Sequence, residues 1–242
     1  MTAIGIFGCA GRMGRAIEAA LGDHGATLAG GIDAGGDPLA LAACADVLVD
    51  FTVPVALAAN LAAARSSGKP ILIGTTGLGA DHHKLIDAAS ADIAVLQTGN
   101  TSLGITLLAQ LVREAAQRLG NDWDIEIVEM HHRAKVDAPS GTALMLGEAA
   151  AAARGMALGD VSVMDRAGLS GDRPEGTIGF ASLRGGSVAG DHHVILAGNG
   201  ERLELSHRAE ERAIFARGAV TAALWLVGRP AGRYSMAEVL GL

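Results

Sequence analysis

The sequence has few aromatic residues and few cysteines. Only 3% of the 242 residues are aromatic, whereas half are hydrophobic and 34 are glycine. The core must therefore be built from Ala, Val, Leu and Ile, with many tight backbone turns. Two cysteines, Cys9 and Cys44, cannot form a disulfide framework and lie in no CxxC motif. Their scarcity favours a reducing compartment and argues against structural zinc.

An excess of basic residues and a long apolar run are also missing. The formal net charge of −7 provides no general surface for a phosphate backbone, so we expect no nucleic-acid partner. The N-terminus "MTAIGIFGCAGRMG" has no basic leader, and no later apolar run approaches the roughly eighteen residues that span a bilayer. We expect a soluble cytoplasmic protein with no membrane partner. The length fits one large domain or two modest ones, of which we expect two.

A glycine-rich turn joins the first predicted strand to a helix. "AIGIFG" (3–8) is a short apolar run typical of a strand buried on both faces. Gly8, Gly11 and Gly14 punctuate the turn, and a second strand pattern, "ATLAGGID", ends in Asp33. Such a turn admits a pyrophosphate at the helix N-terminus, with the later carboxylate on the adenosine ribose. Glycine turns without a ligand also occur, and Asp33 alone could be a turn residue.

Strands and helices alternate through the first hundred residues. The runs "DVLVDFT" (46–52), "PILIGTTG" (70–77) and "IAVLQTGNTS" (93–102) are apolar with polar ends. This alternation predicts an α/β fold with a doubly wound parallel sheet, whose ligand lies outside the carboxyl ends of the strands. The residues at those ends are Phe51, Thr52, Gly74, Thr75, Thr76 and Asn100.

The pattern changes after about residue 103. "DWDIEIVEMHH" alternates apolar and acidic residues, as in a half-buried strand. "TIGFASLRGGSVAGDHHVILAG" and "ERLELSHRA" are typical of antiparallel strands joined by glycines. A sheet with one apolar face often packs on a partner sheet, so we expect oligomerisation through this part of the chain.

The stretch "EMHHRAKVDAPSGTA" (129–143) carries the candidate chemistry. His131 and His132 end a strand, a loop with Lys135 follows, and Ser140 and Thr142 start a helix. Their hydroxyls and the helix N–H groups could hold a small carboxylate opposite Lys135 and an imidazole. His131 is a candidate general acid. Histidine pairs also occur at 82–83 and 192–193, and adjacent strand residues point to opposite faces, which argues against a metal site.

This stretch, with "GCAGRMGRAI", "VDFT", "IGTTG" and "GRYSMAEVLGL", resembles the dihydrodipicolinate (4-hydroxy-tetrahydrodipicolinate) reductase family over nearly the whole chain. The resemblance implies a Rossmann-type domain (1–102 and 212–242) that binds NAD(P)H. It also implies a central α+β domain with a mixed sheet (103–211), which binds a small cyclic dicarboxylate and builds a homotetramer. The implied reaction reduces 4-hydroxy-tetrahydrodipicolinate to tetrahydrodipicolinate in the diaminopimelate route of lysine biosynthesis.

The resemblance also implies roles for individual residues. His131 is the expected catalytic acid/base and Lys135 the expected proton donor, with no metal. The substrate ligands that the resemblance implies are His132, Gly141 and Thr142, and the residue pattern at the helix start adds Ser140. The expected cofactor contacts are Gly8, Cys9, Ala10, Gly11, Arg12, Met13, Asp33, Gly74, Thr75, Thr76, Thr98, Gly99, Asn100 and Thr101.

The residues after Asp33 predict the cofactor preference. In many relatives an arginine follows the ribose-binding acid, whereas here residues 34–36 read Ala-Gly-Gly. An unpaired carboxylate beside a 2′-phosphate is repulsive by up to about 4 kcal/mol at about 4 Å and intermediate dielectric. We predict that NADH is preferred and that NADPH is possible if Arg12 or Arg15 folds over the phosphate.

Two other functions remain open from the sequence. One is a dehydrogenase of another small amino or oxo acid, which the Rossmann half permits and only the central loop argues against. The other is a non-catalytic, dinucleotide-binding redox sensor. Such a sensor would have lost the acid/base groups, which are present here.

Overall fold

The computed structural model describes all 242 residues. They form two compact units, Met1–Leu103 with Ala213–Leu242, and Gly104–Arg212. The predicted division places the boundaries at 102/103 and 211/212, one residue earlier in each case. None of the helices combines the length and the apolar character that crossing a bilayer requires.

The elements follow one another in this chain order: β1 (Thr2–Phe7), α1 (Arg12–Ala20), β2 (Ala26–Ile32), α2 (Pro38–Cys44), β3 (Val47–Asp50), α3 (Leu57–Ser66), β4 (Ile71–Ile73), α4 (Ala80–Ser90), β5 (Ala94–Gln97), α5 (Leu103–Leu119), β6 (Asp124–His131), α6 (Gly141–Ala153), α7 (Leu158–Val161), β7 (Ser162–Val163), β8 (Ile178–Arg184), β9 (Gly190–Gly198), β10 (Glu201–Ala209), α8 (Ala213–Leu226), β11 (Gly232–Tyr234) and α9 (Met236–Val239).

The first unit is built on a six-stranded sheet in the order β11-β5-β4-β3-β1-β2. Every neighbouring pair is parallel, which confirms the predicted doubly wound sheet. The inner strands β1, β3, β4 and β5 are mainly apolar because both faces of the sheet are covered there. In β3, for example, Val47 and Val49 pack in one hydrophobic cluster with residues of α8. Leu48, between them, packs in a second cluster with Leu57 and Leu61 of α3.

The C-terminal segment completes the first unit. The Ala-rich helix α8 matches the predicted apolar helix over 213–226, and β11 adds a sixth strand beside β5. Gly218 lets α8 pack closely on the backbone at Thr101, because a Cβ at residue 218 would lie 1.8 Å from the Thr101 carbonyl oxygen. The short strand β11 has no strong apolar pattern, and the sequence did not indicate it as a strand.

The second unit contains a five-stranded mixed sheet in the order β10-β9-β6-β8-β7. Strand β9 is antiparallel to β10 and β6, whereas β8 is parallel to β6 and β7. The segments predicted as antiparallel strands joined by glycines form β8, β9 and β10. Strands β9 and β10 pair antiparallel as predicted, whereas β8 does not pair with β9, because the two lie on opposite sides of β6. Alternate residues of the sheet pack under α5 and α6 in one hydrophobic cluster, which includes Ile125, Ile127, Val194 and Leu196.

Candidate active site

In the first unit, the glycine turn forms a tight cradle between β1 and α1. The Gly8 N–H donates to the Ile32 carbonyl at 2.8 Å, and Gly8 has a φ of 85°. A Cβ at Gly8 would lie 2.8 Å from the Phe51 carbonyl oxygen. A Cβ at Gly14 would lie 2.3 Å from the Gly8 carbonyl oxygen. Only glycine fits these two positions. The N-cap of α1, Gly11, makes no side-chain hydrogen bond to the helix, so the helix N-terminus suits the phosphate groups of a pyrophosphate.

Asp33 follows β2 and lies against this turn. Its Oδ2 accepts hydrogen bonds from the Ala10 N–H at 3.0 Å and from the Cys9 thiol at 3.1 Å. The hydrogen bond to Asp33, followed by burial, raises the pKa of the Cys9 thiol. Cys9 therefore stays a protonated donor that holds the carboxylate in place.

A cleft of about 550 Å³ opens beside Asp33. The turn, the end of β2 and residues 51–53 line it, and Asp33 is the only charged side chain in the lining. Of the predicted cofactor contacts, Gly8, Gly11 and Asp33 line the cleft. Arg12 is exposed at the start of α1, and the half-buried Met13 packs against the hydrophobic core.

Asp50 organises the neighbouring strand ends, and the sequence reasoning missed it. It is fully buried, and its Oδ1 accepts hydrogen bonds from the Thr52 hydroxyl at 2.6 Å and the Thr75 hydroxyl at 3.0 Å. Asn60 donates to its Oδ2 at 3.0 Å. The side chain of Thr75 is therefore directed to Asp50, whereas Thr76 is exposed. Gly74 is required for packing, because its Cβ would lie 2.2 Å from the Phe51 ring.

The predicted contact segment 98–101 follows β5 at the same edge of the parallel sheet. The Thr98 hydroxyl donates to the Asn100 carbonyl at 2.8 Å, which closes a turn around the exposed Gly99. Thr101 is 3% exposed, and its hydroxyl donates to the Phe215 carbonyl at 2.6 Å. Neither this segment nor 74–76 lines the 550 Å³ cleft. Gly99 and Asn100 are more accessible than the buried Thr101.

In the second unit, the end of β6 carries an imidazole–carboxylate pair. Glu129 and His131 are two residues apart and therefore point to the same face of the strand. The His131 Nδ1 lies 2.5 Å from the Glu129 Oε2, and the two residues are 9% and 1% exposed. Arg184 donates to both carboxylate oxygens, at 2.9 and 2.8 Å. Neither Glu129 nor Arg184 was among the predicted site residues.

The Glu129 carboxyl is ionised although it is buried. Burial raises its pKa, but hydrogen bonds from Arg184, His131 and Ser182 outweigh that effect and hold the pKa below its ordinary value. The same contact with Glu129 raises the pKa of the Arg184 guanidinium. The pair therefore keeps both charges.

A second imidazole, that of His192, packs against the first. The two rings are T-shaped with centroids 5.2 Å apart. Burial, with the charge of His131 as a smaller cause, lowers the pKa of His192 to about 4. Its Nε2 lies 3.0 Å from the Ser140 Oγ, which also accepts a hydrogen bond from the Ala143 N–H. His192 is therefore neutral near pH 7 and helps to fix Ser140 as the N-cap of α6.

The loop between β6 and α6 brings further charges together. The Lys135 ammonium lies 2.8 Å from Asp137 and holds the pKa of that carboxyl below its ordinary value. Arg212 donates to the His132 Nε2 at 2.8 Å. Desolvation, followed by the charge of Arg212, lowers the pKa of His132. Arg212 was not among the predicted site residues, because it lies eighty positions from His132 and no local pattern connects them.

The first turn of α6 is the predicted seat of a carboxylate. Gly141 is exposed, and a Cβ there would meet nothing within 4 Å. Thr142 is half-buried beside it. Ser140 is 2% exposed, and its hydroxyl makes the internal contacts with His192 and Ala143. The backbone at Gly141 is therefore the open part of this helix N-terminus.

Together these features define a class of protein. A parallel sheet with a glycine cradle, an acidic residue after β2 and a separate unit with an imidazole and a lysine are typical of a nicotinamide-dependent oxidoreductase. Two family models match the chain: "Dihydrodipicolinate reductase, N-terminus" over residues 2–101 and "Dihydrodipicolinate reductase, C-terminus" over residues 104–240. The chain belongs to the dihydrodipicolinate reductase family, as its motifs predict.

Individual relatives agree with this assignment. The 4-hydroxy-tetrahydrodipicolinate reductase of Zymomonas mobilis is 55% identical over 99% of this chain and 97% of its own length. That of Rhodopseudomonas palustris strain BisB18 is 51% identical over 98% and 96%. Among solved structures, the dipicolinate-bound dihydrodipicolinate reductase from Paenisporosarcina sp. TG-14 superposes with a TM-score of 0.77, 21% identity and 97% coverage of both chains. A probable dehydrogenase from Thermotoga maritima shares the fold, with a TM-score of 0.64, 13% identity and coverage of 98% and 92%.

Proposed function

We propose that this chain reduces 4-hydroxy-tetrahydrodipicolinate to tetrahydrodipicolinate with NAD(P)H, in the diaminopimelate route of lysine biosynthesis. The observation that carries the proposal is the His131–Glu129 pair at the end of β6, next to the α6 N-terminus, in a member of this reductase family. When bound, the dihydronicotinamide supplies a hydride. The net reaction adds this hydride and one proton to a double bond conjugated with C=N and releases one water. The second unit therefore has to bind the dicarboxylate and deliver the proton.

The proton-transfer roles fall to His131 and Lys135. Since the Nδ1 of His131 contacts Glu129, its Nε2 is the nitrogen that exchanges a proton with the substrate. Gly190 leaves room at this atom, because a Cβ at residue 190 would lie 3.0 Å from it. The Lys135 ammonium, 21% exposed in its side chain, is the second proton donor. Both neutralise the negative charge that develops when a hydride adds to a conjugated imine.

The substrate carboxylates are bound by the loop and the first turn of α6. Backbone N–H groups and the helix dipole at Gly141 and Thr142 favour an anion. His132 and Arg212 provide donors for a second carboxylate. Ser140 acts as the N-cap that orients this turn, through the contacts of its hydroxyl with His192 and Ala143. This arrangement suits a small ring with two carboxylates.

The cofactor site favours NADH. Asp33 supplies the only charge in the lining of the 550 Å³ cleft, and that charge is negative. A ribose with free hydroxyls can donate to it, whereas a 2′-phosphate would be repelled. Arg12 and Arg15 lie on α1 and outside this lining. NADPH therefore remains a possible but poorer cofactor.

The exposed face of the mixed sheet is the proposed interface of a homotetramer. Residues that alternate with the buried positions of β6 and its neighbours point away from α5 and α6. Val128, Met130, Leu183 and Ile195 make the centre of this face apolar. Leu183 is 47% exposed in the single chain. Pairing of such faces would bury them. The cytoplasmic location stays a prediction.

Turnover tests this function. Purified protein is supplied with the condensation product of pyruvate and aspartate semialdehyde, and NADH oxidation is followed. We expect His131→Ala and Lys135→Ala each to lower kcat by about 10²- to 10⁴-fold while NADH still binds. Lys84→Ala is the matched control, because Lys84 forms an exposed ion pair with Asp81 on α4.

The two alternative functions give different results. A dehydrogenase of another small amino or oxo acid would leave this substrate unchanged and oxidise or reduce another one. A redox sensor would bind NADH without turnover. Normal turnover in both alanine variants would contradict the proposed roles of His131 and Lys135.

A further inference from the structure

Glu129 stands out as a charged group in the core of the second unit. It is 1% exposed, and burying an ionised carboxylate is costly unless hydrogen bonds and an opposite charge compensate it. Its two oxygens accept hydrogen bonds from the two Arg184 nitrogens at 2.9 and 2.8 Å, from His131 Nδ1 at 2.5 Å, and from the Ser140 N–H at 3.3 Å. One buried carboxylate therefore contacts both the proposed acid and the start of α6.

This contact determines the tautomer of His131. A carboxylate without its proton can only accept, so the Nδ1 of His131 must carry a proton to make the 2.5 Å contact. In the neutral ring Nε2 is then an acceptor, and in the charged ring it is the donor that the proposed proton transfer uses. An adjacent carboxylate serves in this way in other imidazole catalysts, where it holds the ring and stabilises the imidazolium.

Arg184 keeps Glu129 in the required state. Its guanidinium bonds both carboxylate oxygens, and its Nη2 also donates to the Asp137 carbonyl at 2.6 Å. It therefore anchors both carboxylate oxygens, including the Oε2 that contacts the imidazole, and ties the carboxylate to the loop that carries Lys135. The ring of His192, T-shaped against His131, limits rotation of the imidazole from a second direction.

We infer that Glu129 is a positioning residue for the proton transfer by His131, held in place by Arg184, and that it links the imidazole to the α6 N-terminus. The inference rests on the proposed reductase function and adds the residue that sets the orientation of its acid. Because Glu129 is 1% exposed, we assign it no contact with the substrate. Its effect is expected on kcat, and only through His131.

A double-mutant cycle tests this dependence. Glu129→Gln is expected to lower kcat by about 10- to 100-fold, by analogy with the carboxylates that orient metal-bound imidazoles, with little change in NADH binding. In a His131→Ala background the same change is expected to alter kcat by less than about twofold, because the group it positions is gone. A structural role alone would give equal losses in both backgrounds, and this result would overturn the inference.

Two further variants keep the test specific. Glu114→Gln is the matched control, because Glu114 is also a glutamate of the second unit and pairs with an arginine, Arg118, but its side chain is 47% exposed on α5. Its kcat should equal that of the parent protein. If Glu129→Gln does not fold, Glu129→Asp replaces it in the cycle, since it keeps the charge beside Arg184 but withdraws the carboxylate from His131.

The tautomer is a readout that does not need the substrate. ¹⁵N NMR of histidine-labelled protein should show neutral His131 with its proton on Nδ1, and Glu129→Gln should remove this preference. A proton on Nε2 in the parent protein would overturn the inference. An inactive parent with the Nδ1–H tautomer would instead count against the proposed reaction, so the two failures can be told apart.

Discussion

Acidification should destabilise the second unit through His192. This residue is 4% exposed, and burial lowers its pKa to about 4 from the ordinary value of 6.5. In the unfolded chain the imidazole takes up a proton below about pH 6.5, whereas in the folded unit it stays neutral until about pH 4. Between these values the unfolded state binds more protons, so the free energy of unfolding falls as the pH falls.

The size of the effect follows from the difference between the two pKa values. The full difference corresponds to about 3 kcal/mol, and about 2 kcal/mol of it is lost between pH 7.5 and pH 5. Glu129 does not interfere in this range: its pKa is held below the ordinary value of 4.5, so its stabilising contribution is lost only at lower pH. His207 also has a pKa lowered by burial, so the parent protein alone does not isolate His192.

The measurement therefore compares variants. His192→Gln removes the titrating group but keeps a side chain that can bond Ser140. Between pH 7.5 and pH 5, this variant should lose about 2 kcal/mol less of its unfolding free energy than the parent protein does. His193→Gln, on the opposite face of β9, should keep the parent's pH dependence because His192 remains. Trp123 lies in the second unit and Trp225 in the first. Urea unfolding followed by fluorescence in a Trp225→Phe background therefore reports on the second unit.

The reasoning is refuted if His192→Gln loses as much stability on acidification as the parent protein does. It is also refuted if the histidine is already protonated in the folded protein at pH 5. ¹⁵N or ¹³C NMR titration of His192 reads this directly.

Three further predictions concern other parts of the chain. Asp33→Asn should raise the NADPH-to-NADH ratio of kcat/KM about fivefold, because an exposed charge pair is worth about 1 kcal/mol after screening. Gly14→Ala places a Cβ 2.3 Å from the Gly8 carbonyl oxygen. We expect the free energy of unfolding to fall by about 1–3 kcal/mol in thermal melts and NADH to bind more weakly in titrations. Gly22→Ala is the control and should change neither, because a Cβ there would meet nothing within 4 Å. Ile195→Glu on the exposed sheet face should reduce the mass measured by light scattering; an unchanged mass would exclude that face as the interface.

Much of the first unit could be predicted because its signals are local. Apolar runs of strand length, glycines at the turn and helical spacing after it all lie within short stretches, and parallel strands bring their carboxyl ends to one edge. Strand β11 escaped prediction because three residues carry no periodicity. The pairing of β8 with β6 could not be predicted from the sequence, because the choice between the two edges of β6 depends on packing between distant segments.

The candidate site was predicted in part for a similar reason. The stretch 129–143 contains the imidazoles, Lys135 and the α6 N-terminus in one continuous motif. Arg184 and His192 reach it from β8 and β9, fifty or more positions away, and no spacing rule connects them. Glu129 could have been found, since residues two apart on a strand share a face.

The return of the chain to the first unit has a consequence for biosynthesis on the ribosome. The core around β1 and β3 includes Ala216, Ala219, Val220 and Leu226 of α8, which are translated after the whole inserted unit. One face of the sheet in the nascent N-terminal segment therefore stays uncovered until α8 has been synthesised, while the continuous insert can fold earlier. Chaperone protection during synthesis is needed most over this interval.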